Sequence, residues 1–206
     1  MAAALEAPAA ERAILMETFL ALGPARPLAG GSAVLWTLAR DIGENDTVFP
    51  ALALARAAGP GDLDPGFRAA AWRAVPQTGW VSPGDTRSRP EDQREIFTVF
   101  NNAVPGREEE YARWYDQVHL AHTFEYMGFV GAQRFALEPV GDQSPPYRYL
   151  TLYAVPDGGI DRCEARRIAV GEERERAVRA GKEPQVPVSD ALTGPRHANY
   201  FRKVHG

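Results

Sequence analysis

The order of hydrophobic periods from Glu95 onward most limits what this chain can fold into. It reads strand, helix, strand, strand, helix, strand. The run IFTVFNNAV alternates as a first strand does. In the helix that follows, Tyr111, Trp114, Tyr115, Val118 and His122 recur at the three-and-four spacing that lays one stripe against a sheet, while Glu108, Arg113 and Gln117 face water. Glu108, Glu109 and Glu110 fill the first turn after Pro105-Gly106, where unpaired N–H groups favour carboxylates. Phe129 to Pro139 and Tyr147 to Val155 read as strands on either side of the turn-rich GDQSPP, and are expected to pair as a hairpin. Ile160 to Arg179 reads as the second helix, with Gly171 as its weak point. An extended loop, KEPQVPVSDALTGP, with a turn or cap at Ser189-Asp190, is placed to cover a pocket before a closing strand from His197 to Val204.

The N-terminal half carries four short alternating runs, Ala13 to Ala21, Ala33 to Arg40, Phe49 to Arg56 and Phe67 to Val75. Four strands with little helical cover are expected there. The C-terminal order is ferredoxin-like, so the N-terminal half reads as a degenerate partner repeat that kept its sheet. The expected fold is α+β, two ferredoxin-like repeats forming an α/β barrel, divided into halves at 1–92 and 93–206. The polar segment from Pro83 to Arg94 joins them. The two sheets can close on each other within one chain, and a homodimer is the other way to cover an open sheet face.

The residues Trp114, Tyr115, Val118, His119 and Leu120, followed by Gly128, Phe129, Val130, Arg134 and Phe135, form a W-Y-x-x-V-H-L helix and a G-F-V-x-x-x-R-F strand entry. This segment resembles the EthD-like and related members of the dimeric α/β-barrel superfamily. The resemblance runs over about half of the chain, from roughly Arg94 onward. It implies that the helix covers one sheet face, that the other face lines a barrel, and that the histidine near the helix end reaches the pocket mouth. Relatives of this kind include dehydratases, lactone isomerases, polyketide cyclases, cofactor-free monooxygenases and haem enzymes. Look-alikes often carry proline after the His-Leu pair. Here it is Ala121, so the helix is expected to run on through His122.

His119 is the first catalytic candidate, with Asp116 three residues before it to orient the imidazole and Tyr115 four residues before it to turn a hydroxyl inward. Candidate substrate contacts are Asn101, Trp114, His122, Arg134, Tyr149 and Tyr153. Tyr147, Tyr149, Thr151 and Tyr153 alternate onto one strand face, where they pave a pocket or pack across strands. Arg134 has two uses, an anionic intermediate or an ion pair with Glu138. From the N-terminal half, Glu17, Trp36, Arg40, Trp72 and Arg73 are candidates for the same cavity. His119, His122 and Glu125 share a helix face, but three ligands from one helix make an incomplete metal site, so neither metal nor cofactor is expected.

A formal charge of −4 over 206 residues, with acids and bases intermixed, gives no basic surface for nucleic acid or anionic membranes. No apolar run reaches the roughly 20 residues of a membrane span, the first residues lack a secretion signal's pattern, and a cytoplasmic location is expected. Cys163 is the sole cysteine, which excludes an internal disulfide. No G-x-S-x-G elbow, P-loop or dinucleotide fingerprint occurs. The leading expectation is a cofactor-independent lyase or isomerase, of dehydratase or cyclase type, that moves a proton on a small hydrophobic carbonyl or aromatic compound. The alternatives are a non-catalytic binding protein for such a molecule and a cofactor-free monooxygenase.

Overall fold

Eight strands form one closed antiparallel barrel: β1 (Glu17–Gly23), β2 (Val34–Asp41), β3 (Ala51–Ala57), β4 (Ala71–Pro76), β5 (Glu95–Ala103), β6 (Gly131–Glu138), β7 (Tyr149–Val155) and β8 (Leu192–Lys203). The computed structural model describes residues 17–23, 33–42, 49–57, 59–63, 65, 71–84, 89–142 and 144–204. Around the barrel the order is β1-β3-β2-β8-β5-β7-β6-β4, so each set of four strands repeats one arrangement, fourth-first-third-second. The sets join where β2 pairs with β8 and β4 with β6. Both joins lie within one chain, and closure needs no second copy. This is the expected pair of ferredoxin-like repeats. The expected N-terminal strands all form, although residues 13–16 and 67–70 of those runs lie outside the described residues.

Two long helices cover the C-terminal strands. The first, α1, spans residues 108–127, and the second, α2, spans Ile160–Arg179 without a break at Gly171. Among the described residues, the N-terminal strands have no comparable helix. Strand alternation separates two cores. Ile96, Phe100, Leu150, Leu152 and Phe201 point into the barrel and meet Leu20, Trp36, Leu52 and Trp72 there. Phe97, Tyr149, Tyr153, Ala198 and Tyr200 point outward, beneath α1 and α2. Leu20, Trp36, Leu52, Leu150 and Phe201 have no exposed surface at all. Burial of each such side chain stabilises the fold by about 1.5–3 kcal/mol. The barrel interior is therefore a packed core, and the expectation of a pocket on the inner sheet face is corrected. Trp36 and Trp72 belong to that core and not to a cavity.

Helix α1 departs from the even stripe expected of it. It is α-helical over Glu108–Trp114 and π-helical over Tyr115–His119 and Thr123–Met127. The wider turn makes the fully buried positions step from Tyr111 to Tyr115, then five residues on to Leu120. Val118 and His122, expected in the stripe, are only partly buried, and His119 turns toward the sheet side. Gly128 ends the helix in the left-handed conformation, φ 80°, which suits glycine. At the other end of the fold, β8 begins at Leu192, inside the segment read as loop. There Ser189 Oγ accepts a hydrogen bond from the Ala191 N–H, closing the expected turn. The pairing of β8 with β5 shifts between Phe100 and Asn102, opposite residues 194–196, where Pro195 cannot donate to the ladder.

Candidate functional site

A cavity of about 480 Å³ lies between the outer face of β5, β7 and β8 and the two helices. Strand alternation supplies its floor, with Phe97, Val99 and Asn101 from β5, Tyr153 from β7 and Ala198 from β8. Helix α1 supplies Trp114, Tyr115, His119, Thr123 and Met127, and Phe129 follows it. Helix α2 closes the far side with Ile168, Gly171 and Arg174, and Arg196 of β8 borders the opening. The inner walls are aromatic, with Phe97 stacked on Phe129 at 5.4 Å and Phe129 on Tyr153 at 4.8 Å.

His119 is the chemically distinctive group on this wall. Its ring stacks on Trp114 at 4.6 Å and meets the edge of Tyr115 at 4.8 Å. Its Nδ1 and the neighbouring Trp114 Nε1 are both buried without a hydrogen-bond partner among the described residues. What surface the ring keeps is turned to the cavity. Burial, followed by the electrostatic effect of Arg174, His122, Arg196 and Arg134, lowers its pKa to about 3. The imidazole is therefore neutral at ordinary pH. Deeper in, Tyr111 donates its hydroxyl to Asn101 Oδ1 at 2.7 Å, which leaves the Asn101 amide hydrogens as donors. The Tyr115 and Tyr153 hydroxyls share a hydrogen bond at 3.0 Å. Burial raises the Tyr111 and Tyr153 pKa values, so both phenols stay protonated.

The same barrel occurs in a solved structure. Over 92% of this chain and 91% of the other, it superposes on the crystal structure of an anthrone oxidase-like protein, at 13% sequence identity and a TM-score of 0.50. The likeness is one of fold. A candidate monooxygenase from Fusobacterium nucleatum subsp. nucleatum aligns over 92% of each chain at 10% identity, with a TM-score of 0.42. Neither is described as EthD-like, and no family profile and no curated protein matches this chain.

The cavity brings together five residues singled out from sequence: Asn101, Trp114, Tyr115, His119 and Tyr153. The other four lie elsewhere. Asp116 does not orient His119, because its carboxylate pairs with Arg134. Arg134 is fully buried one layer back, its guanidinium 4.6 Å from the Tyr115 ring centre and 5.3 Å from that of Tyr111. Glu138, its other possible partner, pairs with Arg73 instead. Tyr149 packs on Tyr111 at 4.8 Å within the core. His122 faces Tyr126 at 5.8 Å, away from the cavity lining. Arg40 pairs with Asp161 across the barrel's outside, and the Glu17 side chain lies outside the described residues. No group of three metal-ligating side chains occurs among the described residues. Nor is any described helix long and apolar enough to cross a membrane.

Sequence reading missed the α2 side of the site, Arg174 and Gly171, and also Arg196. A glycine in mid-helix and a proline-arginine pair inside a strand were the available signals.

Proposed function

We propose that the cavity binds an enolisable or phenolic aromatic molecule and oxidises it with molecular oxygen, without a cofactor. The observation that carries this reading is the neutral, unpartnered His119 on an aromatic wall, with the charges of Arg174 and Arg196 nearby. Those charges make a bound phenol or enol more acidic. Its anion is the electron-rich form that passes electrons to oxygen. His119 Nδ1 takes the substrate's hydroxyl proton as the anion forms and returns it to the reduced oxygen that leaves as water, while Trp114 Nε1 and the Asn101 amide donate to the developing oxyanion. The net reaction converts a ring CH2 and O2 into a ring carbonyl and water. The four electrons come from the carbon and no outside reductant is needed.

A lyase or isomerase reading uses the same neutral imidazole as its base and needs no oxygen. Anthrone, the compound in the fold neighbour's name, is the natural first substrate. With anthrone under 18O2, the wild type should take up one O2 per quinone formed and place one labelled atom in the product. His119→Gln, still folded, should lose about 100-fold or more in rate. Turnover of an aromatic carbonyl compound in the absence of oxygen would overturn this reading in favour of the lyase or isomerase. Saturable binding with ligand recovered unchanged would favour a binding protein.

A further inference from the structure

Tyr115 of α1 and Tyr153 of β7 are both fully buried, and both line the cavity. Their hydroxyl oxygens lie 3.0 Å apart, and either can be the donor. A phenol at neutral pH carries one hydrogen to donate. Two phenols joined by one hydrogen bond therefore hold two hydrogens and spend one. The hydrogen on the accepting oxygen has no acceptor among the described residues.

The acceptors on this wall do not take it. Asn101 Oδ1 receives the Tyr111 hydroxyl at 2.7 Å, and the Asp116 carboxylate pairs with Arg134. His119 Nδ1 is buried and meets no hydrogen-bond partner. A buried donor left unsatisfied costs about 1–3 kcal/mol, and an oxygen atom bound in the cavity would remove that cost. Two features make the spare hydrogen a strong donor. The phenol that accepts is polarised by the bond it receives. The Arg134 guanidinium also stands 4.6 Å from the Tyr115 ring centre, and a cation on a phenol's face favours release of the hydroxyl hydrogen.

We infer that the Tyr115–Tyr153 pair is a catalytic donor, which gives one hydrogen bond to the substrate oxygen whose proton His119 takes. This deepens the reading of the cavity as a site for a phenol or enol and rests on it. The cavity wall then offers such a hydroxyl an acceptor at His119 Nδ1 and a donor at the tyrosine pair, and the anion left behind keeps the donor.

Two probes of one shape test the inference: 2-naphthol, whose anion absorbs at longer wavelength than its neutral form, and 2-methylnaphthalene, which has no hydroxyl. Both are titrated into the wild type, Tyr115→Phe, Tyr153→Phe and the double variant, and absorbance against pH reads the ionisation constant of bound 2-naphthol. The double variant should lower that constant about tenfold or more, as loss of a hydrogen bond to a charged group does, while holding 2-methylnaphthalene within about threefold. Each single variant leaves one hydroxyl with its hydrogen unspent, and should lower the constant by no more than about threefold. Removing both partners of a buried hydrogen bond strands neither, so the double variant should fold. An unchanged constant in the double variant, or the full loss in either single variant, overturns the paired donor and leaves the aromatic cavity standing. Failure of the wild type to bind either probe overturns both.

Discussion

At the scale of single residues, burial decides what the charged and polar side chains do. His119 has a folded pKa of about 3, below the roughly 6.5 of a free histidine. The unfolded chain therefore takes up the proton first. The stability this confers is complete above about pH 6.5 and is lost as pH falls toward 3, by at most about 1.4 kcal/mol per pH unit. Urea midpoints measured between pH 4 and 7 should show a steeper fall for the wild type than for His119→Phe. Equal slopes would mean that the imidazole is hydrated. Asp116 and Arg134 are unequal partners, since Arg134 is buried and Asp116 is more than a third exposed. Asp116→Ala strands a buried cation, whereas Arg134→Met leaves a carboxylate that water can reach. The aspartate substitution should thus be the more destabilising, by about 1–3 kcal/mol against a smaller loss, and chemical denaturation reads the order directly. Sequence placed Asp116 and His119 three apart and within reach, but could not show that Arg134, eighteen residues on, would claim the carboxylate.

At the scale of elements, the strands and helices were largely legible because alternation and three-and-four spacing report burial directly. Their faces were less so. Spacing alone assumed an α-helix through His122, and the π-turn at Tyr115–His119 shifted every later side chain of α1 around the axis. That shift is what sets His119 on the cavity wall. Gly171 is the weak point of α2 by propensity, yet the helix passes through it and a Cβ there would meet nothing within 4 Å. Gly171→Ala should therefore stabilise the protein by about 0.5–1 kcal/mol, measured by thermal or urea unfolding. Gly171→Trp should keep the fold and block the cavity to 9-anthracenemethanol. A destabilised alanine variant would show that the space beside Gly171 is already occupied.

At the scale of the whole molecule, the barrel supplies stability and its outer face supplies the site. Periodicity shows that a strand has two faces; it does not show which one is filled. Leu150 is fully buried inside the barrel, whereas Ala198 opens onto the cavity. Leu150→Ala should cost about 2–5 kcal/mol in folding and leave probe affinity nearly unchanged, whereas Ala198→Leu should weaken probe binding with little loss of stability. Two histidines report on the two faces. His119 lines the outer cavity, and His197 is buried in the barrel beside Phe49 and Phe100. The most direct measurement is site-assigned 15N NMR of the imidazoles during titration with 9-anthracenemethanol. The His119 ring nitrogens should shift with saturation while remaining neutral, and those of His197 should stay still. Movement of His197 with His119 unchanged would put the ligand inside the barrel and contradict the account.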